Sequence, residues 1–384
     1  MMSTDQSAMG QKLANISTCL FDLDGVIWRG DTVIEGAVES VRRLQEAGKH
    51  CLYCTNNSHS TRADYVEKLR GMGIEATEDD VITSASATAH YLSAVFTGPF
   101  LAYVIGGPGI ITSLQKLGAR VIIGEVEDET RVDCVVVGID RAFSYDKLRS
   151  AQRLILNGAL FVATNRDTTY PTENGVVPGA GSLVASIEAA SGVTPVVVGK
   201  PRPAMVQMML DKLGVAPAQA LLVGDRLDTD IVCAHRAGIA ALFVATGVTP
   251  LETATRAKGE HKPDALFENL PALCDAVLGL AGDDMMAAVP LAAASPVAAV
   301  AGAAMAEATP LMQDANLVEA SAAESDAVES AAAESDAVES GVTPPSVEQV
   351  PETAGGWNFD EPDAGPPATE IIAPGATVPE PSMT

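Results

Sequence analysis

The chain has 384 residues, 47% of them hydrophobic, and a formal net charge of −26. That charge is unevenly spread: 18 acidic and no basic residues fall in 283–384, which leaves 32 acids against 24 bases, a net of −8, in 1–282. The body is long enough for one large core or two smaller ones, and it has no basic stripe with which to neutralise the phosphates of a nucleic acid.

The opening MMSTDQSAMG is polar and lacks a hydrophobic targeting segment, so residues 1–14 are expected to be disordered. From residue 18 onward short β-rich runs alternate with helical stretches, which predicts an α/β fold: a doubly wound parallel sheet covered on both faces. The runs are 18–24, 50–55, 101–106, 133–139, 160–164, 194–199, 220–225 and 241–246. Helical periods lie at 36–48, 62–73, 145–157, 181–191 and 203–214, and several end at glycine, which accepts the left-handed conformation of a helix cap. The six cysteines, Cys19, Cys51, Cys54, Cys134, Cys233 and Cys274, sit in apolar runs without disulfide spacing and read as reduced core thiols of a cytoplasmic protein. Cys51 and Cys54 form a CxxC, but in the strand HCLYCT alternation sends them to opposite faces, and no second pair offers zinc-ligand spacing.

The first run ends in FDLDGVIW at 21–28. In an open parallel sheet the C-terminal strand ends face the ligand crevice, which delivers Asp22 and Asp24 there, on one side by alternation, before Gly25 turns the chain away. Alone, this DxDG is equally a loop cap or a cation site. The second run ends in TNNS at 55–58, where the Thr55 hydroxyl and the amides around Asn56 can hold phosphate oxygens, or simply form a turn. After LFVAT come Asn165, Arg166 and Asp167, candidates for substrate contact or a turn of their own. Lys200 follows VVVG and brings an ammonium to the crevice or stands exposed; ALLVGD ends in Asp225 and continues through Asp228 to Asp230, acids that also suit a helix N-terminus. Such residues at successive strand ends point to one shared site.

Beyond about residue 283 the texture becomes Ala, Pro, Glu, Ser and Val, with AAESDAVES at 322–330 repeated at 332–340. A segment of this composition cannot bury enough apolar surface to offset its ordering entropy, and a disordered acidic tail over 283–384 is expected. The uncharged stretch 285–306 has the length of a bilayer span, yet it is mostly Ala and is interrupted by Pro290 and Pro296, so no membrane association is expected.

DLDGVIW, TNNS, VGKPRP and VGDRLDTDI, in this order, resemble the haloacid dehalogenase-like phosphatases, and within them the class IIA subfamily of p-nitrophenyl phosphatase, phosphoglycolate phosphatase, pyridoxal phosphatase and ribonucleotide monophosphatase. The likeness covers roughly 15–280 and takes in VVVGIDRAFSYDKL at 135–148, FVATNRDTTYP at 161–171 and VPGAGS at 177–182. It implies a Rossmann-like core at 15–83 and 179–282 with an inserted α/β cap at 84–178. It further implies Asp22 as nucleophile, Asp24 as acid and base, and magnesium held by Asp22, the Asp24 carbonyl and Asp225. Asp230 would brace the metal site or pair with Lys200. Thr55, Asn56 and Lys200 would bind the transferring phosphoryl group, and cap residues Asn165, Arg166 and Asp167 the substrate. His59 and His235 are left with structural roles.

The expected activity is hydrolysis of a small phosphomonoester, with phosphoglycolate as first choice and nucleotide monophosphate or pyridoxal phosphate as alternatives. A non-catalytic phosphate sensor working through the acidic tail is the contrasting class; the intact Asp22, Asp24, Lys200 and Asp225 speak against it. Transfer to an alcohol instead of water is a third reading, and dehalogenation has no use for Asp24. The sequence leaves open a homodimer and a basic partner for the tail.

Overall fold

The computed structural model describes residues 12–172 and 175–280; residues 1–11, the pair 173–174 and the whole of 281–384, with its repeat and the apolar stretch 285–306, lie outside the described residues. Two parallel sheets organise the chain. The first has six strands in the order β15-β14-β13-β1-β4-β5, formed by Thr18–Phe21 (β1), His50–Thr55 (β4), Val81–Thr83 (β5), Ala220–Gly224 (β13), Ala240–Val244 (β14) and Ala265–Phe267 (β15). The second has five in the order β12-β9-β8-β6-β7: Leu101–Ile105 (β6), Arg120–Ile122 (β7), Cys134–Val137 (β8), Leu160–Ala163 (β9) and Val196–Val197 (β12). Two small hairpins complete the strands, Trp28–Arg29 (β2) with Thr32–Val33 (β3), and Thr169–Thr172 (β10) with Gly175–Pro178 (β11).

Parallel sheets need cover on both faces, and the sequence supplies it by alternation inside each strand. In the first sheet Leu20, Leu52, Leu222 and Phe243 join one apolar cluster, while Phe21, Tyr53, Val223 and Leu242 join the other. Cys54 and Cys51 divide the same way, and all six cysteines are buried and unpaired; burial pushes the thiols of Cys51 and Cys54 up to about 12. Leu13 also lies fully in this core. The first cluster continues without a break into the second sheet through Val104, Val136 and Val162, so one apolar layer ties the two sheets together. Truncating a residue such as Leu20, which has no exposed surface, would cost roughly 2–5 kcal/mol.

The helices between strands carry local signals that fix their ends. Ala37–Glu46 (α1) starts after Gly36, and Arg62–Gly71 (α2) starts at a capping box in which Thr61 and Asp64 satisfy each other's backbone amides. Ser84–Val95 (α3) and Pro108–Lys116 (α4) flank β6; Tyr145–Leu156 (α5) begins at Ser144, whose hydroxyl accepts from the Lys147 amide. Ala180–Ser191 (α6) and Ala204–Leu213 (α7) close on left-handed glycines, Gly192 and Gly214, as expected from the sequence. Val232–Arg236 (α8), Leu251–Arg256 (α9) and Leu270–Val277 (α10) complete the set. Because β12 is the edge strand of the second sheet, that sheet and α6 extend past 178, and we place the return to the six-stranded core after Val197. Among the described residues no helix is long and apolar enough to cross a membrane.

Candidate active site

Four chain segments meet at the C-terminal edge of the six-stranded sheet. Asp22 leaves β1 with its amide donated to the Val223 carbonyl at 2.9 Å, beside β13. β1 stops at Phe21, so Asp24 reaches the cleft not by strand alternation but on a turn, in which Gly25 adopts φ 92° and donates to the Trp28 carbonyl at 2.7 Å. The Trp28 indole N–H donates to Asp24 Oδ1 at 3.1 Å. Its ring is stacked on Tyr65, with centroids 6.4 Å apart, and Lys68 Nζ lies 4.4 Å from its centroid. Burial pushes the Asp24 carboxyl up, against the pull of the Trp28 hydrogen bond, and so favours its protonated form.

Lys200 is the hub. Its side chain is 2% exposed, and Nζ lies 2.6 Å from Asp22 Oδ1, 2.8 Å from Asp230 Oδ1 and 2.9 Å from the Cys54 carbonyl. Burial alone would weaken the ammonium, but Asp22 and Asp230 hold it firmly charged. Asp230 is thus paired with Lys200, one of the two roles expected for it, and its second oxygen accepts from the Arg226 amide at 3.1 Å.

Asp225 has no exposed surface. Its Oδ2 accepts from the Val248 amide at 2.5 Å, while Oδ1 is buried with no hydrogen-bond partner. Burial first, and then Asp230, raise its carboxyl to about 7. Asp22 is pushed up too, by burial and by Asp230 and Asp225, against the pull of Lys200. The ligand oxygens of Asp22, Asp225 and Asp230 lie within 4.8 Å of one another. Three crowded carboxylates with one ammonium, and one oxygen left orphaned, fit a hard divalent cation. The fit is close: a Cβ at Gly25 or Gly247 would stand 2.6 or 1.8 Å from Asp225 Oδ2.

The other candidates divide. The Thr55 hydroxyl accepts from the Asn57 amide at 3.0 Å at the cleft wall. The Asn56 carboxamide is already spent: Oδ1 accepts from the Lys200 amide at 2.8 Å, and Nδ2 donates to the Lys200 carbonyl at 3.0 Å and to both Asp167 oxygens at 3.0 and 3.2 Å. Asn165 donates to the Asn56 carbonyl at 2.7 Å and so braces the same loop. Asp167 lines the cleft, its carboxyl raised by burial and held back by Arg226 and Asn56. Arg166 turns away, 2.7 Å from Glu188 of α6, and does not line the cleft. The cleft holds about 60 Å³, room for a handful of waters at ~15 Å³ of such volume each. Among its other walls are Arg226 and Tyr170, neither singled out in the sequence, although Arg226 stands inside the motif GDRLDTD. His235 lies elsewhere, its Nδ1 2.7 Å from the Glu260 carbonyl.

The strand-end loop carrying Thr55 and Asn56 is also gripped by the second sheet. Gly109 N donates to the His59 carbonyl at 2.8 Å, and the fit is close: an added Cβ would come within 2.4 Å of the His59 ring and 2.7 Å of its carbonyl at Gly107, 2.3 Å of the Ser60 carbonyl at Gly109 and 2.3 Å of the Ser58 hydroxyl at Gly138.

Two family models match: haloacid dehalogenase-like hydrolase over residues 19–120, and HAD-hydrolase-like over 197–273. A glycerol-3-phosphate phosphatase from Gallus gallus is 40% identical over 258 residues, 62% of this chain and 83% of that protein. The crystal structure of a 4-nitrophenylphosphatase from Thermotoga maritima superposes with a TM-score of 0.63 at 36% identity, covering 69% of this chain and 99% of the other. A glycerol phosphate phosphatase from Mycobacterium tuberculosis, solved in complex with magnesium, gives 0.63 at 34%, covering 68% and 77%. The motifs, the two-sheet fold and these likenesses agree, and the chain belongs to the haloacid dehalogenase-like hydrolases, in their class IIA subfamily of phosphatases.

Proposed function

We propose that the chain hydrolyses a small phosphomonoester, of the size of phosphoglycolate or glycerol phosphate, through an aspartyl-phosphate on Asp22 and with magnesium as cofactor. The observation that carries this reading is the charge balance of the buried site: Lys200 within 2.8 Å of both Asp22 and Asp230, beside an Asp225 oxygen with no partner. Asp22, Asp225 and the Asp24 backbone carbonyl would hold the ion, with Asp230 steadied by Lys200 next to them. Magnesium bound there would offset the carboxylates and the charge of the transferring oxygens.

Phosphoryl transfer asks mainly for in-line placement and charge neutralisation. Lys200 holds one oxygen of Asp22 and fixes its carboxylate, leaving the other to attack phosphorus while the bond to the leaving oxygen breaks. Asp24, whose burial favours the protonated form, gives its proton to that oxygen. A water then attacks phosphorus, Asp24 takes back a proton, the bond to Asp22 breaks and phosphate departs. The Thr55 hydroxyl and the main-chain amides that follow it hold the equatorial oxygens together with Lys200. The Asn56 side chain acts one step removed, by fixing the backbone of Lys200.

A panel of phosphoglycolate, glycerol phosphates, sugar phosphates, nucleotide monophosphates, pyridoxal phosphate and p-nitrophenyl phosphate, assayed for phosphate release with and without magnesium, tests the proposal. Magnesium-dependent release from at least one small ester is expected. Binding without release, or transfer only to added alcohols, would refute it.

A further inference from the structure

The segment that follows β14 supplies no group to the chemistry above, yet it touches two of the segments assigned to the cation. β14 ends at Val244 and runs parallel to β13, so residues 245–249 emerge at the same edge as Asp225. Ala245 donates its amide to the Phe267 carbonyl of β15 at 3.0 Å. The Thr246 hydroxyl then donates to the Gly25 carbonyl at 2.7 Å, in the turn that carries Asp24. The Thr246 carbonyl accepts from Arg29 Nε at 2.8 Å and from Nη2 of the same guanidinium. Two residues on, the Val248 amide holds Asp225 Oδ2 at 2.5 Å, and the Thr249 amide donates to the Asp225 carbonyl at 3.3 Å.

Between these contacts Gly247 fills the gap with bare backbone. Its φ lies outside the left-handed region, so the demand for glycine is one of space: an added Cβ would stand 1.8 Å from Asp225 Oδ2, and a Cβ on Gly25 would stand 3.1 Å from Gly247 Cα. The hairpin of β2 and β3 completes the arrangement through adjacent residues. Trp28 holds the Asp24 carboxylate directly, while Arg29 reaches Asp225 indirectly, through the Thr246 carbonyl and the two residues beyond it.

Asp24 and Asp225 come from different strand ends, and nothing covalent fixes their separation. With Oδ2 taken by Val248 and Oδ1 left without a partner, the segment 246–248 decides which way the free oxygen of Asp225 faces. Magnesium demands near-ideal octahedral geometry, so a small drift between ligands from two segments costs affinity. We infer that residues 246–248 form a strap that sets the affinity for magnesium, with Thr246 and Arg29 as positioning residues and Gly247 as the place where no side chain fits. The inference rests on the cation reading proposed above and adds to it the groups that hold the ligands in register.

The test compares the full chain with its Thr246→Val, Thr246→Ser, Arg29→Met and Gly247→Ala variants in magnesium titrations. One readout is the rise of the thermal midpoint with magnesium, which reports binding without turnover. The other is the magnesium concentration that half-activates p-nitrophenyl phosphate hydrolysis. Thr246→Val keeps the shape and removes the hydroxyl, and should need about tenfold more magnesium in both, the usual effect of losing a group that orients a metal ligand. Thr246→Ser should stay within about threefold of wild type, because it restores the donor. Arg29→Met should act in the direction of Thr246→Val and reports on the strap from its other end, even if the valine variant folds poorly. Gly247→Ala should abolish the magnesium-induced rise. A lower metal-free midpoint in Thr246→Val or Arg29→Met, with magnesium dependence shifted less than threefold, would reduce the strap to packing and overturn the inference while leaving the cation reading intact. A retained rise in Gly247→Ala would do the same. No midpoint rise and no activation by magnesium in the wild type would overturn both.

Discussion

Replacing Asn56 by Ala separates two uses of one side chain. The sequence suggested a phosphate ligand; the structure has its carboxamide holding Lys200 by backbone amide and carbonyl, at 2.8 and 3.0 Å, and gripping Asp167 at 3.0 and 3.2 Å. Counting the forked contact to Asp167 once, three interactions disappear, and at about 1 kcal/mol each the variant should lose ~3 kcal/mol. For a folded body of this size that lowers the thermal midpoint by roughly 6–12 °C. Asn56→Asp should be worse than Ala, because it sets a carboxylate about 3 Å from Asp167: bare repulsion at an effective dielectric near 20 is ~5 kcal/mol, and the half-buried position of Asp167 lets solvent screen part of it. Urea titration followed by tryptophan fluorescence reads the stability, and p-nitrophenyl phosphate hydrolysis reads the site. A clamp predicts a large stability loss with kcat reduced as Lys200 loosens. If Asn56→Ala instead raises KM severalfold and costs under about 1 kcal/mol, the carboxamide is a substrate ligand and the clamp argument is wrong.

Asp22→Asn keeps the shape of the nucleophile and removes its chemistry, so turnover should fall by many orders of magnitude, since enzymes supply upwards of roughly 8 kcal/mol of barrier reduction; more than a few per cent of residual phosphate release would rule out the aspartyl-phosphate. Chelation should abolish activity and magnesium restore it, with calcium giving less because its larger, looser shell misplaces the carboxylates; full activity in metal-free buffer would refute the cation argument. Truncation after Gly282 should leave kcat and the thermal midpoint nearly unchanged, because every candidate residue precedes 283 and exposed charges are screened beyond about 8 Å at physiological salt. A severalfold fall in turnover would show that the acidic segment acts on the body, and a pull-down on basic partners would then be run with the body present.

What was legible in the sequence was whatever local chemistry writes down. HCLYCT matches β4 residue for residue, and Asp22 and Asp225 come together because each follows a strand of the six-stranded sheet, while Lys200 reaches them from beyond β12 of the other sheet. Short edge strands escaped notice: VIT, RVI and ALF are three residues each and take their pairing from neighbours far along the chain. TPVVVG narrowed to Val196–Val197, the two residues in register with β9. Among site residues, polarity next to a strand end could not tell inward from outward: Asp167 lines the cleft while its neighbour Arg166 pairs with Glu188 on α6. Arg226 and Tyr170 were invisible for the opposite reason, since their roles depend on how the two sheets meet.

That meeting has a consequence for recombination between relatives. Segments such as the five-stranded unit are natural modules to exchange when a new specificity is wanted. Here, however, the incoming piece must bring the bare backbone at positions 107, 109 and 138, because Ser58, His59 and Ser60 already fill the space a methyl group would take. A graft carrying alanine at any of the three would push on the loop that positions Thr55 and Asn56, and would damage chemistry common to all substrates while intending to alter only the choice among them. The compatibility of two modules is thus written in three absent side chains.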